Sequence, residues 1–390
     1  MRSRLATLIM AILVPVIGIV VWRALVVYAE PQGIITVPNG NLFRILPDLQ
    51  SNRYWILNRE HGLVLLTENP PGEWSTQTFN IGDVRDITGP DSSGKIYCSF
   101  GGNPAGVHVF DTSTYSVVRT LSLDRYPRCM VLSPDETKLY VCVYQWPLLG
   151  VRGEHADRFD TLEHRDGGRV LEIDLSTGQV LREATVGSLP ETMYYFYSPG
   201  NDRILVNTDE ILPITDDPPW GIGLGTVTRI DNISVASFSR MTPRIECMYA
   251  YSEFTNDFFE WPGNDPLLGQ CHIGVGDIYG YEHMRDAIWL IDPVNNTVVD
   301  TASLPVPGGG FAGAEHAVVS ECNPDEVYVS GGARTLYFTD TILVVDRWNG
   351  TLLRSFSTYP YVTDFIYETA GGMLIVTCGG SGRIFIIDPT

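Results

Sequence analysis

The chain has 390 residues, 44% hydrophobic and 11% aromatic, enough apolar material for a large core. Its formal net charge is −20, only Lys95 and Lys138 are lysines, and no run of Lys and Arg gathers along the sequence, which argues against a surface that tracks nucleic acid. None of the cysteines sits in a CxxC or CxxCH spacing, so zinc ribbons, thioredoxin-type redox sites and c-type haem attachment are unsupported as well.

Met1-Arg2-Ser3-Arg4 precedes an uncharged apolar stretch from Leu5 to Trp22, followed by Arg23 and a second apolar stretch to Ala29. A run of about 18 apolar residues spans a bilayer as a helix. The basic flank places its N-terminus on the cytoplasmic side and the body outside. Residues 1–29 therefore read as a signal anchor, the favoured form, or as a cleaved signal peptide ending at Val27-Tyr28-Ala29. Both readings make the body, residues 30–390, extracytoplasmic.

Beyond this segment the chain shows no helical periodicity, and frequent Gly and Pro mark many turns. The dominant signal is an internal repeat. Apolar strands end in an acid at Val107–Asp111, Val170–Asp174, Val227–Asp231, Ile288–Asp292, Leu343–Asp346 and Phe385–Asp388, with Leu63–Glu68 as a looser copy. After the acid comes a polar turn such as Asp174-Leu-Ser-Thr-Gly178, where the carboxylate can accept backbone N–H groups two or three residues on. A fourth strand follows, for example Gln179–Arg182. Ahead of the acid-ended strand lies another hairpin, as in Met130–Leu132, Ser133-Pro134-Asp135 and Lys138–Cys142. Each unit is thus four antiparallel strands, A to D, and radial repetition of such units makes a propeller. The expected fold is all-β: a seven-bladed β-propeller of four-stranded antiparallel blades, preceded by one N-terminal hydrophobic signal-anchor helix.

Ser133-Pro134-Asp135 with Leu139-Tyr140-Val141, and Ile173-Asp174 with the turn to Gly178, resemble the YVTN-type β-propeller repeat family. The resemblance spans most of residues 84–388 and implies a fold and an exported location, with little about function. The last unit, residues 358–388, lacks an outer strand, and residues 33–37 form a strand with no unit of their own. Pairing them would join the ends of the ring.

The units differ systematically between strands B and C. The third inserts Trp146 to Gly168, the fourth Ile211 to Gly225, the fifth a segment from about Trp261 to Asp286, and the sixth a shorter one around Arg334 to Thr339. B–C and D–A connections of a propeller emerge on one face, so the insertions of blades three to six share it. Candidate ligands cluster there: Glu154, His155, Glu163, His164, His272, Asp277, Glu282 and His283, with Glu315 and His316 opening the inner strand of blade six. Imidazoles with carboxylates suit a divalent metal or acid–base chemistry, and carboxylates alone suit Ca²⁺. Neighbouring residues of an extended loop point apart, however, so a Glu-His dipeptide is not a ligand pair, and a solvated charged loop is the simpler reading. Aromatic runs at 193–197 and 254–261 read as core.

Asn232, Asn295 and Asn349 begin N-x-[ST] triplets that fall in C–D turns, on the opposite face, which makes them candidate glycosylation sites. Cys129 and Cys142 flank one hairpin turn symmetrically and form a candidate disulfide, since some cross-strand positions bring two Cβ atoms within reach. The favoured function is a non-enzymatic scaffold that binds a protein or glycan through the insertion-bearing face and requires no cofactor. The alternative is an extracytoplasmic, lactonase-like hydrolase or lyase that uses Ca²⁺ or another divalent metal over the central channel.

Overall fold

The computed structural model describes residues 33–101, 104–144, 168–186, 189–196, 202–213, 221–231, 239–241, 247–249, 258–259, 267–274, 284–292, 297–303, 314–320, 322–331, 341–346, 351–358 and 365–389. Among these, the strands form seven antiparallel sheets.

After β1 (Gly33–Thr36), the first sheet runs through β2 (Leu42–Pro47), β3 (Arg53–Asn58), β4 (Gly62–Glu68) and β5 (Trp74–Asn80). The second comprises β6 (Val84–Thr88), β7 (Lys95–Phe100), β8 (Ala105–Asp111) and β9 (Ser116–Leu123). The third holds β10 (Tyr126–Leu132), β11 (Lys138–Tyr144), β12 (Arg169–Asp174) and β13 (Val180–Thr185). In the fourth, β14 (Leu189–Phe196), β15 (Arg203–Pro213), β16 (Gly221–Asp231) and β17 (Ser239–Met241) are joined by β18 (Cys247–Tyr249), which pairs with β16. The fifth has β19 (Phe258–Phe259), β20 (Leu267–Gly274), β21 (Met284–Asp292) and β22 (Thr297–Ser303). The sixth has β23 (Ala314–Val319), β24 (Glu326–Gly331), β25 (Thr341–Asp346) and β26 (Leu352–Ser357). The last contains β27 (Phe365–Glu368), β28 (Leu374–Cys378) and β29 (Arg383–Ile387), and takes β1 as its outer strand, with Gly33 opposite Ile386 and Thr36 opposite Arg383.

The middle strands carry continuous apolar runs because the sheets are covered on both faces. Residues 54–58 of β3 and all of β28 are buried. Outer strands alternate instead, as in the half-exposed β13. The core lies between successive sheets. Trp55, Leu57 and Leu63 of the first pack on Ile87, Cys98 and Phe110 of the second. Val107 and Leu121 of the second meet Leu139, Val141 and Ile173 of the third. Ile342 and Phe356 of the sixth meet Leu374 and Val376 of the last. Finally Ile375, Ile384 and Ile386 of the last sheet pack on Leu42, Tyr54 and Val64 of the first. Each such side chain, fully buried, contributes about 1.5–3 kcal/mol relative to exposure.

The acid that ends a third strand closes the following turn. Asp111 Oδ1 accepts the Ser113 and Thr114 N–H groups at 2.8 and 3.2 Å, and Asp174 Oδ1 accepts that of Thr177 at 2.7 Å. The Lys95 ammonium, 2.6 Å from Asp111, and the Ser113 hydroxyl hold that carboxyl well below the usual carboxylate range. Hydroxyls of Ser176 and Thr177, with the Thr177 N–H, bring Asp174 down to about 2.

Two expectations change. The 211–225 stretch of the fourth unit is largely hairpin: β15 and β16 stay paired out to Pro213 opposite Gly221, and β18 adds to Gly223–Gly225. Likewise, much of 261–286 is the paired strand β20 and the start of β21. Regular hydrogen bonding extends the B and C strands where Pro and Gly suggest a loop. Residues 1–29 and the 146–167 and 334–339 insertions lie outside the described residues; among those described, no helix is long and apolar enough to cross a membrane.

Candidate interaction face

The inner strands β2, β6, β10, β14 and β23 each carry a register shift against the second strand of their sheet, close to where the chain enters. Such bulges turn an extra residue out of the ladder and re-aim side chains. Phe43, Arg85, Arg128, Glu191 and Glu315 all fall within these shifts.

The residue after the bulge in β6, Asp86, ties three sheets together. Its Oδ1 accepts Arg44 Nη1 of β2 at 2.8 Å, and its Oδ2 accepts the Met130 N–H of β10 at 2.8 Å. The residue is 7% exposed. Burial pushes its carboxyl above the ordinary range, and the Arg44 guanidinium and the Met130 N–H oppose that shift.

Several arginines and aromatic rings lie at or beside the B–C and D–A connections of the first three sheets. The Arg59 guanidinium lies 3.5 Å from the centroid of the Phe43 ring, a cation–π contact. Arg85 pairs with Asp83 at 2.7 Å, both side chains 47% exposed, an arrangement water screens heavily. Tyr126 opens β10 and Tyr144 closes β11 opposite it, with ring centroids 6.2 Å apart. Gly101, in the second sheet's B–C connection, is set so that a Cβ there would meet Tyr126 Cδ1 at 3.2 Å and Arg85 Nε at 3.6 Å. Arg125, in the D–A turn before Tyr126, has a buried Nη1 with no hydrogen-bond partner among the described residues.

Glu154, His155, Glu163, His164, Asp277, Glu282 and His283 lie outside the described residues. His272 sits in β20 opposite Asp286, and His316 in β23 opposite Ser330, with Glu315 at the shift. Among the described residues, no three His, Cys, Asp or Glu side chains are grouped to hold a metal ion. Asn232, Asn295 and Asn349 lie outside the described residues, between β16 and β17, β21 and β22, and β25 and β26. Cys129 and Cys142 are free, buried thiols in side-chain contact across the β10–β11 pair. Cys142 Sγ also lies 3.7 Å from Met193 Sδ. Burial, and the hydrogen bond with Cys142, push the Cys129 thiol well above its ordinary range.

No protein-family model matches the sequence, and no curated protein does. Solved structures do match. The WD40 domain of Pan2 from Neurospora crassa superposes with a TM-score of 0.60 at 15% identity, over 93% of this chain and 95% of that one. The WD40 β-propeller domain of Doa1 superposes at 0.55 and 8% identity, over 92% and 96%. The chain folds as a WD40-like β-propeller. Hydrazine synthase from Kuenenia stuttgartiensis matches as well, with a TM-score of 0.64 at 10% identity over 91% of this chain and 97% of that one. At such identities the likeness speaks for fold alone.

The arginines of this face form no pattern in the sequence. Residues 44, 59, 85, 125 and 128 are scattered over three units and form no run. Arg85, Arg125 and Arg128 do share a place at or beside an inner-strand start.

Proposed function

We propose that this chain is an exported, membrane-tethered propeller of seven blades that serves as a non-enzymatic scaffold. It engages a protein partner through the face bearing the B–C and D–A connections. The carrying observation is the WD40-like architecture, a fold suited to protein interaction, whose described part holds seven sheets, with the last packed on the first. The apolar stretch Leu5–Trp22 behind a basic flank supports export and tethering. The C–D placement of Asn232, Asn295 and Asn349 supports glycans on the opposite face, clear of the partner, because a bulky hydrated glycan blocks surfaces that must desolvate.

The test is quantitative affinity capture from the producing cell, comparing the whole chain with a variant lacking Val151 to Arg165. The expected result is a partner bound by the first and lost from the second, with unchanged melting temperature, since so highly charged a segment has little apolar surface to give a core. Equal capture by both forms would overturn the assignment of the face. Metal analysis of the purified protein tests the scaffold reading separately: one tightly held divalent ion per chain would favour the hydrolytic alternative.

A further inference from the structure

Among the described residues, every large hydrophobic side chain left exposed lies at one end of its sheet, the end of the A–B and C–D turns. Leu49 sits in the A–B turn of the first sheet and Tyr115 in the C–D turn of the second. The others fall within the first three residues of an outer strand. Three of them are placed there by the same device. Phe110 pairs with Val117 and Val109 with Arg119, so Val118 is turned out of the ladder. An equal shift turns out Leu181 between Val180 and Arg182, and Leu353 between Leu352 and Arg354. Val299 holds that register position in the fifth sheet. Val118, Leu181 and Leu353 are 52, 48 and 47% exposed. A single exposed Val or Leu needs no explanation, but a bulge that presents an apolar residue at the same point of several outer strands is a built feature.

The chain also reaches β1 at this end. Gly33 stands opposite Ile386, beside Ile387, which pairs with Leu374 at the end of the last A–B turn. Gly33 is four residues beyond Ala29, a reach of at most about 14 Å for extended chain. We infer that this end of the domain rests on the surface of a neutral lipid bilayer. Contact runs through Ile34 of the last sheet, Leu49 of the first, Tyr115 and Val118 of the second and Leu181 of the third. The inference rests on the tether reading, which keeps a bilayer within reach. These four sheets form one arc across the seam. β1 neighbours β5, Phe79 of β5 stacks on Tyr115, and Arg119 of β9 donates to the Leu175 and Ser176 carbonyls in the third C–D turn. Apolar residues carried one or two to a sheet, with packed sheets about 10 Å apart, meet a plane together but line no single peptide-sized cleft. Interfacial apolar residues sink about 5–10 Å into the headgroup boundary. Charge selects a neutral surface. Arg53, Lys95 and Lys138 at this end are already paired with Asp48, Asp111 and Glu172, and the net charge of −20 repels anionic headgroups. Asn232, Asn295 and Asn349 belong to the fourth, fifth and sixth sheets, so glycans carried there leave the arc clear. The face of the B–C and D–A connections then points away from the membrane, toward a partner.

The experiment reconstitutes the full chain into phosphatidylcholine vesicles and reads an environment-sensitive fluorophore on single introduced cysteines. Cys322→Ser removes an exposed native thiol, and the same parent, labelled identically, supplies the background. Probes go on Val118→Cys, on Leu181→Cys and, as control, on Ser122→Cys. Ser122 is exposed on the same strand as Val118 but lies four residues, about 13 Å, toward the other end. Lipids carrying a nitroxide at the boundary of headgroup and acyl chain should quench the first two probes at least threefold more than the control. Leu49→Glu combined with Leu181→Glu should lower the quenching at Val118→Cys at least threefold. That variant should still float with the vesicles and melt unchanged, because both residues are exposed. Equal quenching at all three sites, or undiminished quenching in the double variant, would overturn the inference. An emission shift in nitroxide-free vesicles that grows with protein density would overturn it in favour of a second copy of the chain. Flotation without quenching at Val118→Cys would refute the lipid contact and leave the tether standing, whereas failure to float would refute both.

Discussion

Replacing Asp86 tests whether the inner strands are latched to one another. The carboxylate accepts two charge-assisted bonds, one from Arg44 of the first blade and one from the Met130 N–H of the third, each at 2.8 Å. Asp86→Ala takes the carboxylate from Arg44 and leaves the Met130 N–H without its acceptor. Breaking one side of a buried ion pair costs about 3–5 kcal/mol, and the orphaned N–H falls within that figure. Unfolding entropy of about 2.1 cal/mol/K per residue gives roughly 0.8 kcal/mol/K for a 390-residue chain, so the melting temperature should fall by about 4–6 °C. Asp86→Asn keeps one acceptor of the same shape and should lose about half as much. Adding Arg44→Met to the Asp86→Ala background should recover part of the loss, because the uncompensated charge goes with it. Scanning calorimetry reads all three variants. A shift under about 1 °C for Asp86→Ala would refute the latch, and no recovery in the double variant would refute the ionic part of it.

Gly106→Ala places a Cβ 2.2 Å from the Leu121 carbonyl oxygen, a backbone atom with no rotamer to yield, so β8 and β9 must separate at a cost of about 1–3 kcal/mol, readable as a lower urea midpoint. Asp111, Asp135 and Asp174 are held below the ordinary carboxylate range, chiefly by the Lys95 ammonium, the Ser133 hydroxyl and the Ser176 hydroxyl in turn. Their contribution is complete above the unfolded value of about 3.9 and drains as pH falls toward 2, so the melting temperature should drop across that window, and replacing all three by Asn should flatten the slope. Exposed Cys322 should react with iodoacetamide at least tenfold faster than buried Cys98, Cys129, Cys142 and Cys378 in the native protein, as peptide mass spectrometry would show. A mass lower by about 2 Da across the Cys129 and Cys142 peptides would instead reveal a disulfide.

The third strands were legible because two local rules coincide in them. An apolar run covered on both faces needs no alternation, and the acid at its end makes hydrogen bonds within three residues, as Asp111 and Asp174 do. The hairpin around Ser133 is similarly self-contained: the Ser133 Oγ accepts the Lys138 N–H at 3.0 Å. What escaped the sequence depends on partners far along the chain. Asp86 meets Arg44 and Met130, each more than forty residues away (42 and 44), and nothing near Asp86 in the sequence marks it out. The inner-strand bulges leave no compositional trace, since Phe43, Arg85 and Arg128 share only a position. The extended β15–β16 hairpin was hidden by its own residues: Pro213 and the alternating glycines of 221–225 resemble a loop, and pairing with β18 overrides that preference.

The pairing of β1 with β29 decides how the molecule answers mechanical tension. Gly33, where the chain enters β1, lies opposite Ile386, close to where it leaves β29. Antiparallel strands pulled from adjacent ends part like a zipper, one pair of hydrogen bonds at a time, whereas strands pulled from opposite ends must shear all of theirs together. A load between the two ends of the domain therefore meets its weakest response at the seam. The seam peels from Gly33 toward Thr36 and bares the edge of β29, ready to accept another strand.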